Sequence, residues 1–191
     1  LFFDCAYQGF ASGDAEADAV ALRSFVEDGH QILLCQSYAK NFGLYGERVG
    51  ALSAVCASKE EKAALESQLK AIIRPMYSSP PIHGARIVKE VLGDATLRAQ
   101  WTGECKEMAN RIQDMRALLR EGLAEAGSTK DWSHITDQIG MFAYTGLTKE
   151  QVQKMRDESA VYCTLDGRIS VAGLNRDNVA YVAAAIHAVS K

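Results

Sequence analysis

Much is missing from this sequence, and each gap removes a class of function. No apolar run approaches the length needed to cross a bilayer, and no secretory or transit segment is recognisable. There is no excess of basic residues: 21 Lys and Arg face 24 Asp and Glu, a net charge of -3, so no electrostatic footprint for nucleic acid is expected. Cysteine is sparse. Cys5, Cys35, Cys56, Cys105 and Cys163 are scattered and odd in number, and no close pair spells a zinc or redox motif. They read as buried, reduced thiols of a reducing compartment. His30, His83, His134 and His187 lack metal-binding helical spacing, so no metal is expected. Internal repeats and low-complexity tracts are also lacking.

What remains is ordinary globular material. Hydrophobic residues make up 48% and charged residues 24% of 191 positions, enough for one sizeable domain or two small ones. Residues 1–5 read as a strand. A Gly-rich turn leads to Asp14, a candidate N-cap for a helix with Val20, Leu22, Phe25 and Val26 on its apolar side and Gly29 at its end. Residues 31–36 read as a second, buried strand, so strand, helix and strand form a βαβ unit with parallel strands. The run 49–56 follows after too short a loop for a crossover helix, which predicts an antiparallel neighbour.

Ser58 to Glu61 spells a capping box for a helix that places Leu65, Leu69, Ile72 and Ile73 toward the core and stops at Pro75. A short helix over 85–92 precedes a long one over about 96–125, striped by Met108, Ile112, Met115 and Leu119. Beyond it are expected a strand at 139–144, a capped helix from Thr148 to about Glu158, strands at 161–163 and 168–171 flanking the Asp166-Gly167 turn, and a final helix capped by Asn175. That helix carries Val179, Val182, Ile186 and Val189. The fold class is therefore α/β, with a small α+β layer toward the carboxyl end.

The chemistry gathers around residues 37–48, Ser37-Tyr38-Ala39-Lys40-Asn41-Phe42-Gly43-Leu44-Tyr45-Gly46-Glu47-Arg48. They follow the carboxyl end of the second strand, where open α/β sheets bind ligands. Asp4 and Tyr7 lie at the same end of the first strand, so two motifs distant in sequence converge. A partly desolvated lysine near a cation is suited to act as an amine nucleophile, and Ser37 with Arg48 suits phosphate oxygens. Taken singly, these residues also have plain readings. Lys40 reads as a solvated loop lysine, Asp4 as a turn or cap residue and Tyr7 as amphipathic packing.

Residues 37–48 resemble the cofactor-lysine segment of aspartate aminotransferases, which are pyridoxal-phosphate enzymes of fold type I, class I. The likeness continues through Phe2 to Gly13, through Arg74-Pro75-Met76-Tyr77-Ser78-Ser79-Pro80-Pro81, through His134 to Phe142, and through Asp166 to Leu174. The blocks lie in the family's order, and the wording around Tyr38, Gly46 and Arg74 resembles the mitochondrial isoenzymes most. The resemblance covers the family's carboxyl-terminal half. It implies that the chain is a fragment without the amino-terminal arm and the first part of the cofactor domain. One departure is Ser79, where the family usually has asparagine.

The resemblance implies a role for each candidate. Lys40 holds pyridoxal 5'-phosphate and moves the substrate's α-proton. Asp4, as a buried carboxylate, pairs with the cofactor's ring nitrogen, and Tyr7 with its phenolic oxygen. Ser37 and Arg48 anchor the phosphate. Arg168 clamps the substrate α-carboxylate with its planar fork, and Phe142 lines that pocket. Arg74 crosses to the other subunit to bind the distal carboxylate. By residue type alone, Arg74 reads as a helix-end cation, Arg168 as a surface residue and Phe142 as core.

Also implied are dicarboxylate amino-acid and 2-oxo-acid substrates, a homodimer with shared sites, and residence in the mitochondrial matrix or else the cytoplasm. Residues 1–107 are expected to form part of a large cofactor-binding domain with a mostly parallel, helix-flanked sheet. Residues 108–191 are expected to form a small domain, the two joined by the helix at about 96–125. Aspartate–2-oxoglutarate transamination is the implied reaction. Aromatic amino-acid transamination, or a fragment active only as an assembly unit, are the alternatives.

Overall fold

The structure, a computed structural model, describes all residues from Leu1 to Lys191. The chain divides into two compact units: Leu1–Gly9 with Asp14–Cys105, and Phe10–Gly13 with Lys106–Lys191.

In the first unit, β1 (Phe2–Cys5) pairs in parallel with β2 (Leu33–Ser37), and β2 pairs antiparallel with β3 (Gly50–Ala54). The crossover between the parallel strands holds α1 (Val20–Glu27), as the βαβ reading expects. Asp14 accepts from the backbone N–H groups of Glu16 and Ala17, an Asx turn that starts the crossover. Gly29 ends it with φ of +80°, a left-handed conformation that glycine adopts at no steric cost. The resulting sheet is mixed, with order β1-β2-β3.

Then come α2 (Lys59–Met76) and α3 (His83–Gly93). Ser58 caps α2 by accepting from the Glu61 N–H at 3.1 Å, but Glu61 turns its carboxylate to the Ala57 N–H instead of the Ser58 N–H. The cap is thus half of a capping box. Pro75 does not stop α2 as expected, since the helix runs on to Met76. It lies inside the final turn, where one lost helix bond is tolerated, and the helix closes through Tyr77 N–H to Ile73 C=O at 3.1 Å.

Two burial expectations fail in this unit. No residue of α2 is buried, and Ile72 is 55% exposed. Residues 31–36 do not form a buried strand either, since Leu33 is 40% exposed. Periodicity identifies an apolar face but not whether anything covers it. The cysteines are all free, and Cys105 alone among them is buried.

The division between units falls within α4 (Ala95–Glu125), between Cys105 and Lys106. The second unit has a continuous core. Ile112, Met115, Leu119 and Leu123 of α4 are at most 3% exposed, as are Ile135 of α5 (Ser133–Asp137) and Val152 and Met155 of α6 (Lys149–Ser159). Ala183 and Ile186 of α7 (Val179–Ser190) are fully buried. Gly122 gives α4 a smooth spot, since a Cβ there would meet the Ala183 Cβ at 2.9 Å. Met108, expected in the stripe, is 42% exposed.

Thr148 and Gln151 cap α6 reciprocally, a full capping box. The strands β4 (Phe142–Tyr144) and β5 (Arg168–Ser170) pair antiparallel. Residues 161–163 are not a strand. β5 spends its pairing on β4, and Tyr162 is 75% exposed.

Candidate active site

The first unit gathers most of the candidates at the carboxyl ends of β1 and β2. Asp4 stands opposite Cys35 in the parallel register, and Ser37 closes β2. A cavity of about 290 Å³ opens there, lined by Asp4, Ser37, Ala39 and Arg48 with the edge of β3. It brings together a carboxylate, a hydroxyl and a guanidinium. Asp4 is solvent-exposed in this chain, not buried as expected, because nothing within the chain covers that side of the cavity. Its negative charge also acts on Cys5, whose thiol is pushed up from its ordinary value, first by burial and then by the Asp4 carboxylate.

Lys40 and Tyr7 meet each other rather than the cavity lining: the Lys40 Nζ sits 4.9 Å from the centre of the Tyr7 ring. An ammonium over an aromatic face is attracted by the ring's quadrupole. The backbone around Lys40 is held firmly. Ser37 Oγ accepts from the Ala39 N–H at 3.1 Å, the Tyr38 N–H bonds to Val49 C=O at 3.1 Å, and the Gly43 N–H bonds back to Lys40 C=O at 3.1 Å. Arg48 adopts φ of +51°, a left-handed conformation unusual for a residue other than glycine, and donates to Tyr45 C=O at 3.0 Å. Non-glycine residues in this region occur preferentially at functional sites.

Two residues that sequence reasoning passed over secure this loop. Asn41 is 3% exposed. Its carbonyl accepts from the Trp101 indole N–H at 2.7 Å and from the Cys105 thiol at 3.6 Å, while its amide reaches Gln8 C=O, next to Tyr7. Phe42 stacks on Trp101 with ring centres 4.7 Å apart. No local pattern marks these contacts, since the hydrogen bonds among them span 33 to 64 residues. Arg74 lies exposed in the last turn of α2 and is not part of the cavity lining.

Arg168 and Phe142 belong to the second unit. They occupy β5 and β4 in diagonal positions, for Arg168 faces Tyr144 and Phe142 faces Ser170. The Arg168 guanidinium carbon sits 5.1 Å from the Phe142 ring centre. Arg168 is exposed, and its guanidinium forms no salt bridge. The preceding turn is tight: Thr164 Oγ1 donates to Arg168 C=O at 2.9 Å, and the Arg168 N–H donates to Asp166 at 3.2 Å. The Thr164 hydroxyl and then that N–H hold the Asp166 carboxyl below its usual range.

Sequence reasoning also passed over Arg116, the one charged residue of the molecule that is buried, at 2% exposure. A signal existed in its position four residues after Ile112 and three before Leu119, on the apolar stripe itself.

Comparison with known proteins identifies the family. The family model described as aminotransferase class I and II matches residues 1–186. The mitochondrial aspartate aminotransferase of Dictyostelium discoideum is 57% identical over 191 residues, and that of Gallus gallus 56% over 190; the chain spans 45% of the length of each. Among solved structures, a mitochondrial aspartate aminotransferase from Trypanosoma brucei superposes with a TM-score of 0.96 at 50% identity, over all of this chain and 50% of that one. An aromatic-amino-acid aminotransferase from Burkholderia pseudomallei, covalently bound to pyridoxal phosphate, gives 0.97 at 49% identity over 100% and 47%. The chain belongs to the aminotransferase class I and II family.

Proposed function

We propose that this chain is the carboxyl-terminal half of a pyridoxal-phosphate-dependent aspartate aminotransferase, exchanging amino groups between L-aspartate and 2-oxoglutarate. The observation that carries the reading is the cavity lined by Asp4, Ser37 and Arg48. That donor set fits a ligand with a basic ring nitrogen at one end and a phosphate at the other. The names of relatives at 54–57% identity supply the substrate.

When bound, pyridoxal phosphate supplies an electron sink for the carbanion left as the α-proton departs. Asp4 keeps the ring nitrogen protonated, and Tyr7 donates to the phenolic oxygen. Ser37 and Arg48 hold the phosphate, Arg48 through a planar fork. Lys40 Nζ would hold the cofactor at rest and, once freed, would take the proton from the substrate α-carbon and deliver it to the cofactor's aldehyde carbon. Arg168 holds the α-carboxylate and Phe142 lines its pocket. Arg74, exposed at the end of α2, reaches the distal carboxylate in a partner subunit's site, which makes the active form a homodimer. The first unit is the later part of the large cofactor domain, and the second is the small α+β domain. The relatives' names favour a mitochondrial location.

Incubation with pyridoxal phosphate and borohydride, followed by peptide mapping, tests the reading. Selective labelling of Lys40 supports an organised lysine. In the complete protein, labelling spread over surface lysines sinks the assignment of Lys40. A second reading, aromatic amino-acid transamination, is favoured by the 0.97 superposition on the Burkholderia pseudomallei enzyme. A panel of aspartate, tyrosine and phenylalanine separates the two. For the isolated chain, activity alone versus activity only after mixing with an amino-terminal half decides whether it works as more than an assembly unit.

A further inference from the structure

The hairpin that carries Arg168 is too small to hold itself. β4 and β5 contribute three residues each and pair only with one another. A two-stranded ribbon of that size is marginal in water. Yet Arg168 and Phe142 must stay in register to within a fraction of an ångström if the guanidinium is to meet a carboxylate with two parallel bonds.

Two arginines of α4 grip the open end of the hairpin, Arg116 on the β4 side and Arg111 on the β5 side. Arg116 donates through Nη1 to Ile135 C=O at 2.7 Å, and through Nη2 to Gly140 C=O at 2.8 Å and to the carbonyl of Phe142 itself. Its Nε has no partner, and no acidic side chain pairs with it. Arg111, on the surface five residues earlier, donates to Ala172 C=O and, at 2.5 Å, to Leu174 C=O, just past the end of β5. The Val171 N–H to Met141 C=O bond, 2.9 Å, closes the same end of the ribbon. The interior of the ribbon is packed through Ala143 and Ile169, which are 0% and 7% exposed.

Burying a guanidinium without a counter-charge is costly, and an apolar side chain of similar volume would fill the space at less expense. What an apolar residue cannot do is fix three carbonyls that converge from two segments. Those carbonyls include the one that sets where the Phe142 backbone stands, and the Phe142 ring in turn backs the Arg168 guanidinium. Charge on Arg116 therefore serves geometry rather than ion pairing.

We propose that Arg116, assisted by Arg111, is a positioning residue for substrate α-carboxylate recognition, acting through Phe142 on Arg168. This rests on the reading of Arg168 as the α-carboxylate clamp. Neither arginine is assigned any contact with substrate or cofactor.

The test compares two amines in the complete protein: L-aspartate, and β-alanine, which is aspartate without its α-carboxylate. The quantity read is the ratio of their kcat/KM values in the first half-reaction. A defect of folding alone lowers both and leaves the ratio unchanged. Arg168→Gln tests the underlying reading, and an unchanged ratio in that variant removes the clamp itself. Arg116→Lys keeps the charge but not the fork, and is expected to lower the ratio by about tenfold or more. Given a collapsed ratio in Arg168→Gln, an undisturbed ratio in Arg116→Lys overturns the positioning role alone. If Arg116→Lys does not fold, the surface variant Arg111→Gln decides: a fall of about threefold supports the proposal, and no fall overturns it.

Discussion

Leu119, Ile135, Met155 and Ile186 of the second unit are wholly shielded from solvent, whereas Phe2, Leu33, Leu52 and Ile72 of the first are 67, 40, 50 and 55% exposed. Among apolar residues of the first unit, Ile32, Ala39, Val88 and Cys105 are the buried ones. Yet the first unit carries the cavity, Lys40 and the residues proposed to hold the cofactor. Chemistry and self-sufficient packing are thus divided between the two. The first unit spends its order locally, on the loop around Lys40, and leaves broad apolar area of the kind that further structure covers. The chain spans 45% of the length of two curated relatives that it matches, so more than half of each of those chains lies outside the matched part.

The largest effect expected separates function from stability within the first unit. In the complete protein, Lys40→Ala should reduce transamination by about 10,000-fold, while the unfolding midpoint of the protein stays within error of the parent. Near-normal turnover in this variant would remove Lys40 from the mechanism. A large loss of stability with the activity loss would instead show that the Lys40–Tyr7 contact is structural.

A matched pair of truncations probes the difference in packing directly. Leu119→Ala should cost about 2–5 kcal/mol, because it empties a site with no exposure. Leu52→Ala, half exposed on β3, should cost no more than about 0.5 kcal/mol in this chain. Urea unfolding of both variants reads the contrast. Equal costs would mean that β3 is covered in solution, for instance by another copy.

The sequence revealed most where a rule is local. The short loop after β2 required an antiparallel β3, the βαβ length required parallel β1 and β2, and Thr148 with Gln151 announced the start of α6. It misled where the outcome depends on a distant surface. Leu65, Leu69, Ile72 and Ile73 have helical spacing, but α2 buries none of them. Asp4 was expected to be buried, and it stands exposed. The β-branched and aromatic run 161–163 had strand character but no strand left to pair with. Of the candidate site, the convergence of Asp4 and Ser37 followed from topology alone. Asn41, Trp101 and Arg116 stayed hidden, because each acts through backbone carbonyls, which carry no residue-type signature.

Trp101→Phe refines the view that order in the first unit is local. The ring stack on Phe42 survives, but Asn41 C=O loses its 2.7 Å indole donor and keeps only the longer bond from Cys105. The expected cost is about 1 kcal/mol, confined to residues 40–44. Amide exchange should accelerate there, and borohydride labelling with pyridoxal phosphate should become less selective for Lys40. Accelerated exchange across the whole first unit would instead make Trp101 a support of that unit at large.

The smallest effect belongs to the polar turn of the second unit. The Asp166 carboxyl titrates below its unfolded value of 3.8, held down first by the Thr164 hydroxyl and then by the Arg168 N–H. A carboxyl depressed on folding stabilises fully above the unfolded pKa, and that contribution disappears as pH falls through the folded one. Acidification below about 4 should therefore loosen the turn that leads into β5 and shift the Arg168 amide resonance. The core residues Ile135 and Met155 should keep their exchange protection, since they depend on packing and not on charge. Asp166→Asn should abolish the pH dependence of that resonance. If the core opens together with the turn, the second unit draws on surface electrostatics as well as on its apolar interior, and the contrast with the first unit narrows.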